Sequence, residues 1–102
     1  MTELAFTSDQ QADATVLALT GEIDMQSAGV LRDRVDALEV SSGTLVLDLA
    51  GVGFVDSSGL GALLGIKKQQ DGGGGRLLLT RLSPAVTRLI EITKMDRVFD
   101  LS

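Results

Sequence analysis

The run Phe54-Val55-Asp56-Ser57-Ser58-Gly59-Leu60-Gly61 sets one carboxylate and two hydroxyls in consecutive positions, where an apolar stretch gives way to a helical pattern. A hydroxyl at the first turn of a helix has two uses. It caps the helix by accepting from an unpaired backbone N–H. It also accepts a phosphoryl group, whose charge is favoured at the positive end of the helix dipole. Capping alone is the commoner use. With two adjacent serines, one can cap while the other stays exposed.

Nucleophilic catalysis is a poorer fit. Ser57 would need Asp56 as its base, with no lysine close in sequence and no histidine anywhere in the chain. Without His or Cys there is no Ser-His-Asp arrangement, thiolate chemistry, disulfide or thiolate metal site. The chain is therefore expected to hold no catalytic residue, no metal and no cofactor. Glu22, Asp24 and Asp56 would bind a hard cation only if they converged, and solvated carboxylates at strand ends are the ordinary alternative. Gly72 to Gly75 is not followed by Gly-Lys-Ser/Thr, so it reads as a flexible turn rather than a phosphate loop.

On a helical wheel the segment after Asp56 divides into two stripes. Leu60, Leu63 and Leu64 form the core side, while Ser57, Gly61, Gly65 and Lys68 form a flanking stripe with Ser58 at its edge. Interior glycine costs about 1 kcal/mol relative to alanine, so Gly61 and Gly65 call for a reason. Close packing against a neighbouring element and a smooth surface for another protein's backbone fit the pattern equally well. A membrane helix pair through Gly61 and Gly65 does not, because Lys67 and Lys68 follow.

The elements that position these residues follow from periodicity. Strands are expected at Glu3 to Ser8, Thr15 to Thr20, Thr44 to Leu49 and Arg76 to Thr80. The run Thr44 to Leu49 suits a strand covered on both faces, with Gly51 to Val55 as a short connection. Helices are expected from about Gln26 to Val40 with Ser27 as cap, from Ser57 to about Gln70, and after Ser83-Pro84, where serine caps and proline takes the first helical position. Lys67 and Lys68 fall toward the end of the second helix and complement its dipole. Arg97 to Leu101 is a short strand or a last packing segment. This alternation predicts an α/β fold with a mixed four- or five-stranded sheet, an antiparallel edge strand at the start, and helices packed mainly on one side. The expected core includes Leu17, Leu19, Val46, Leu47, Leu49, Leu60, Leu63, Leu64, Leu78, Leu89 and Ile90. Candidate loops gather beyond the carboxyl ends of the parallel strands, at Gly21 to Asp24, Phe54 to Ser58 and Arg81 to Ser83.

Composition bounds the function. The 102 residues suffice for one domain, taken as residues 1–102, and 44% are hydrophobic, which excludes a disordered tail. A formal net charge of −5 argues against direct nucleic-acid binding, which needs a basic surface. No apolar run approaches a bilayer span, and Met1-Thr2-Glu3-Leu4 lacks the basic start of a signal peptide. The expected location is cytoplasmic, without membrane insertion, as a monomer or weak dimer.

The segment Asp56-Ser57-Ser58-Gly59-Leu60-Gly61 resembles the signature of STAS domains in bacterial anti-sigma factor antagonists. The likeness runs nearly end to end: Leu19-Thr20-Gly21-Glu22-Ile23-Asp24, Leu47-Asp48-Leu49, Gly74-Gly75-Arg76-Leu77 and Leu82-Ser83-Pro84-Ala85-Val86 are similar to further parts of the pattern. The resemblance implies a STAS-like fold and phosphorylation at Ser57, the first hydroxyl residue after the signature aspartate. It implies an anti-sigma factor with serine kinase activity as partner and a separate serine phosphatase. The unphosphorylated form would bind the kinase and free the sigma factor. Partner contacts are expected at Ile23, Asp24, Asp56, Ser57, Ser58, Gly59, Gly61, Gly65, Lys68 and Ser83. STAS scaffolds of sensor complexes and cytoplasmic STAS domains of anion transporters are alternative settings for the same resemblance.

Overall fold

Alternate aliphatic residues build one inner sheet face. In the computed structural model, which describes residues 4–102, Leu17 and Leu19, then Leu45, Leu47 and Leu49, then Leu77 and Leu79 are all buried, while Val16, Val46 and Leu78 between them are half-exposed. This period of two follows from the strand pleat. The elements in order are β1 (Ala5–Gln10), β2 (Thr15–Ile23), α1 (Ala28–Leu38), β3 (Thr44–Val55), α2 (Ser57–Gly72), β4 (Arg76–Thr80), α3 (Pro84–Thr93), a 3-10 turn (Met95–Arg97) and β5 (Asp100–Leu101). They form a five-stranded sheet in the order β1-β2-β3-β4-β5, with β1 antiparallel to β2 and the other pairs parallel. The expected first strand began at Glu3, which lies outside the described residues.

Leu31 and Val35 of α1, Leu60, Ala62, Leu63 and Ile66 of α2, and Val86 and Ile90 of α3 join the inner row in a single core. The helices thus pack mainly on one side, as successive right-handed crossovers between neighbouring parallel strands require. Val46 and Leu78 were expected inside, and β3 was expected to be covered on both faces. Both residues instead lie on the outer face, half-exposed, because the core takes only the odd-numbered row. Leu64 and Leu89 pack at the rim of the core and are partly buried rather than enclosed.

Strand β3 also corrects the expectation that Gly51 to Val55 is a connection. It runs on to Val55, paired with β2 through Glu22↔Phe54 and Ile23↔Val55, and its register shifts twice along the way. Each shift adds a residue and rephases the strand, so Val52 and Val55 still point inward. Gly51 permits this, since a Cβ there would sit 2.8 Å from both the Leu19 carbonyl oxygen and Thr20 Oγ1.

The turn from Gly72 to Gly75 is packed rather than loose. Helix α2 continues to Gly72, which leaves Lys67 and Lys68 inside the helix rather than in its last turn, and Lys67 pairs with Asp71 at 2.8 Å. The Gly75 N–H donates to the Gln70 carbonyl at 2.8 Å. Buried Gln70 donates through Nε2 to the carbonyls of Val40 and Gly43, both at 3.0 Å, and so ties this turn to the one before β3. A Cβ on Gly75 would overlap the carbonyl oxygens of Gly43 and Ser41, whereas one on Gly72 would meet open space. Gly75→Ala is therefore expected to destabilise the fold by about 1–3 kcal/mol through overpacking. Gly72→Ala should be neutral or stabilising by up to about 1 kcal/mol through helix propensity. Urea unfolding midpoints check this, and equal midpoints for the two variants would contradict the packed turn.

Candidate functional site

The ends of β2 and β3 lie side by side, and the site is built on that junction. The Ile23 carbonyl accepts from the Asp56 N–H at 3.2 Å, which brings the start of α2 against the end of β2. Gly59 completes the approach. It is buried, and any Cβ on it would run into the Ile23 carbonyl oxygen and lie 2.7 Å from Val55 Cγ2.

The α2 cap comes from the carboxylate. Asp56 adopts an extended backbone and its Oδ1 accepts from the Gly59 N–H at 3.0 Å. Neither serine is spent on capping, contrary to the division of labour expected from their adjacency. Ser57 is the first residue of the helix and exposed, and Ser58 is half-buried beside it. An exposed hydroxyl at this position meets the steric requirement for phosphoryl transfer to its Oγ, and the unpaired N–H groups of the first turn favour the resulting charge.

The neighbouring loop is also organised by an aspartate. Asp24 Oδ1 accepts from the backbone N–H groups of Gln26 at 2.9 Å and Ser27 at 3.0 Å. Ser27 was expected to cap α1, yet its hydroxyl makes no such bond and donates back to the Glu22 carbonyl at 2.7 Å. The capping requirement is met one turn earlier by Asp24. The Ser27 N–H holds the Asp24 carboxyl below the ordinary aspartate value; desolvation opposes this in part, and the Gln26 N–H adds to it. Asp24 and Asp56 thus place two acceptor carboxylates at the strand ends that flank Ser57.

Ser57, Gly61 and Lys68 are exposed along α2, and Asp24, Asp56 and Ser58 are half-exposed at its start. A Cβ on Gly61 would meet nothing within 4 Å, so this part of the stripe is open. Gly65 is not open: the guanidinium of Arg32, from α1, lies where its Cβ would be. Three other expected contact residues are buried and offer no surface to a partner. Ile23 lies in the core, Gly59 is pressed on the end of β2, and Ser83 caps α3 by accepting from the Val86 N–H at 3.3 Å. Ile23 and Gly59 shape the site from beneath.

Met25 and Phe54 were not among the expected contact residues, although Phe54 opens one of the candidate loops; they are 78% and 47% exposed. Phe54 is the penultimate residue of β3 and Met25 follows Asp24, so both extend from the paired strand ends that carry the site. The available signal was a large apolar side chain adjacent to each capping aspartate region. Among the described residues no group of three or more His, Cys, Asp or Glu side chains is placed to hold a metal ion, and no helix is long and apolar enough to cross a membrane.

The Asp24 geometry has a pH signature. Its carboxyl is easier to ionise folded than unfolded, so its contribution to stability is present above the unfolded value and is lost as pH falls through the folded one. Asp24→Ala should lower the melting temperature at neutral pH, and the gap to the parent should close below about pH 4. Thermal melts from pH 7 downward check this; a gap that does not change with pH would contradict the ionised cap.

Residues 5–102 match the STAS domain family. The chain is 38% identical over 84 residues to the anti-sigma-B factor antagonist of Bacillus subtilis (strain 168), an alignment covering 82% of this chain and 77% of that protein. The crystal structure of an anti-sigma factor antagonist from Mycobacterium paratuberculosis superposes with a TM-score of 0.80 at 29% identity, covering 97% of this chain and 85% of that one. The Bacillus cell fate determinant SpoIIAA in its phosphorylated form shares the fold, with a TM-score of 0.71 at 22% identity over 96% of this chain and 91% of that one. With the sheet order, the capped α2 and a family match from the first described strand to the last residue, this chain belongs to the STAS domain family.

Proposed function

We propose that this chain is an anti-sigma factor antagonist whose binding is switched by phosphorylation of Ser57. Unmodified, it binds an anti-sigma factor that is also a serine kinase, and so frees the sigma factor. The kinase transfers the γ-phosphoryl group of ATP to Ser57 Oγ, the hydroxyl proton leaves, and ADP is released. A serine phosphatase restores the hydroxyl by hydrolysis, with water taking the phosphoryl group and inorganic phosphate released. The chain acts as a binding protein rather than an enzyme, in the cytoplasm where ATP and the sigma factor are available.

One observation carries this reading: Asp56, and not a serine, caps α2, which leaves the Ser57 hydroxyl exposed on the first helical residue. Similarity to antagonists of anti-sigma factors supports the choice of partner. Electrostatics supports the direction of the switch. The phosphate adds about −1.5 to −2 charges. The helix end stabilises such a charge by only about 0.3–1 kcal/mol at an exposed position. A partner carboxylate about 5 Å away would oppose each unit of it by roughly 3 kcal/mol at an effective dielectric near 20. Asp24 and Asp56 add to the same negative field, and burying the phosphate in an interface adds a desolvation cost. Each 1.4 kcal/mol is about a tenfold change in affinity, so local repulsion is enough to dissolve a micromolar complex.

Pull-down from native extract with mass spectrometry identifies the kinase, and calorimetric titration of that purified protein tests the switch. Ser57→Ala should bind like the unmodified chain and resist inactivation by ATP. Ser57→Asp should bind at least about tenfold more weakly, a loss of roughly 1.4 kcal/mol. In the same titration Gly61→Gln should bind weakly although removing an interior glycine favours the helix. Equal affinity across these variants, or ATP-dependent modification confined to Ser58, would overturn the assignment of Ser57.

A further inference from the structure

The cation lying over Gly65 is unaccounted for by the fold. A side chain at position 65 would displace the Arg32 guanidinium, since its Cβ would overlap Nη1 and sit 2.8 Å from Cζ. Glycine therefore opens a notch in α2 in which the planar guanidinium rests against helix backbone. Arg32 is nonetheless exposed. Among the described residues Lys67 pairs with Asp71, Arg76 with Asp100 and Arg81 with Asp48, and Arg34 stacks 4.7 Å from the centre of the Phe6 ring; of the cations outside these contacts, only Arg32 lies against a glycine. Among the described residues Arg32 has neither a carboxylate nor an aromatic ring as partner. Lys68, one turn beyond Gly65, is likewise exposed without a carboxylate partner among the described residues.

The face that begins at Ser57 is thus divided by charge. Its N-terminal end carries Asp24 and Asp56. About 12 Å further along the helix, at roughly 1.5 Å per residue, Arg32 lies over Gly65, and Lys68 follows about one turn later. Between them Gly61 leaves the surface low. The glycine leaves the guanidinium room to lie along the helix, and its fork is suited to a carboxylate.

We propose that Arg32, seated in the Gly65 notch, is a specificity-determining residue of the docking face and engages an acidic side chain of the anti-sigma factor. This rests on the docking reading above. Ser57 decides whether the complex forms, and Arg32 helps to decide with which anti-sigma factor. It also gives Gly65 a role different from that of Gly61: the first shapes a seat for a cation, and the second keeps the surface clear.

The test uses the full chain and the purified kinase recovered with it. Arg32→Gln should weaken binding about tenfold and Arg32→Glu further, with melting temperatures close to the parent. The affinity of Arg32→Gln should depend less on salt than that of the parent, because one charge pair is missing. Gly65→Ala, which displaces the guanidinium, should reproduce the Arg32→Gln loss. Substituting the paired acid on the kinase with lysine should restore binding to Arg32→Glu. If Arg32→Gln and Arg32→Glu bind as the parent does while Ser57→Asp still fails to bind, the inference is wrong and the docking face stands. If Ser57→Asp also binds normally, the docking reading itself falls.

Discussion

The contact on which the site depends is the closure of α2's first turn onto the end of β2. It leaves no room for a side chain at Gly59, because the Ile23 carbonyl oxygen occupies the place a Cβ would take. The same carbonyl holds the Asp56 N–H, and the Asp56 carboxylate holds the Gly59 N–H. Three backbone groups are thereby satisfied within one small junction, and Ser57 is fixed at the surface without using its hydroxyl. Everything on the switch face inherits its position from this closure, including the open surface at Gly61 one turn later.

The junction in turn depends on the strands beneath it. Two register shifts in β3 keep Val52 and Val55 in the core while the strand follows β2 to its end. Without them Val52 would turn away from the core, and Ile23 would pair with Gly53 rather than with Val55. Buried Ser83 caps α3, and exposed Pro84 takes its first position. A rigid platform of this kind suits a switch that works by charge. Adding a phosphate changes the local field at the edge of a well-packed fold and demands no rearrangement of the core.

Much of this was legible in the sequence, and the exceptions share a cause. The Leu17 and Leu19 pair and the Ser83-Pro84 start report local periodicity and capping chemistry, which sequence carries directly, whereas the nearly continuous apolar run from Thr44 to Leu49 hid which of its faces is the inner one. The end of β3 was hidden because Gly51 and Gly53 look like loop residues until β2 is seen close beside them. Ser27 and the paired serines were natural caps by residue type, yet an aspartate earlier in each loop took the role. Gly59 belongs to the signature and Ile23 to another matched segment, but both are buried and act from within the fold. The turn at Gly75 and the seat for Arg32 at Gly65 depend on which distant residue approaches a glycine, and periodicity carries no such information.

The central claim is that phosphate on Ser57 blocks docking by local charge, with the fold unchanged. Backbone amide spectra of the phosphorylated chain, recorded alone and with an excess of the purified kinase, test it most directly. The account predicts shifts confined to Asp24 to Ala28 and Asp56 to Gly61, and no further change when the kinase is added. Shifts spread through β3, β4 and the core of α2 would contradict a local mechanism, and a kinase-induced change in the phosphorylated chain would contradict the switch.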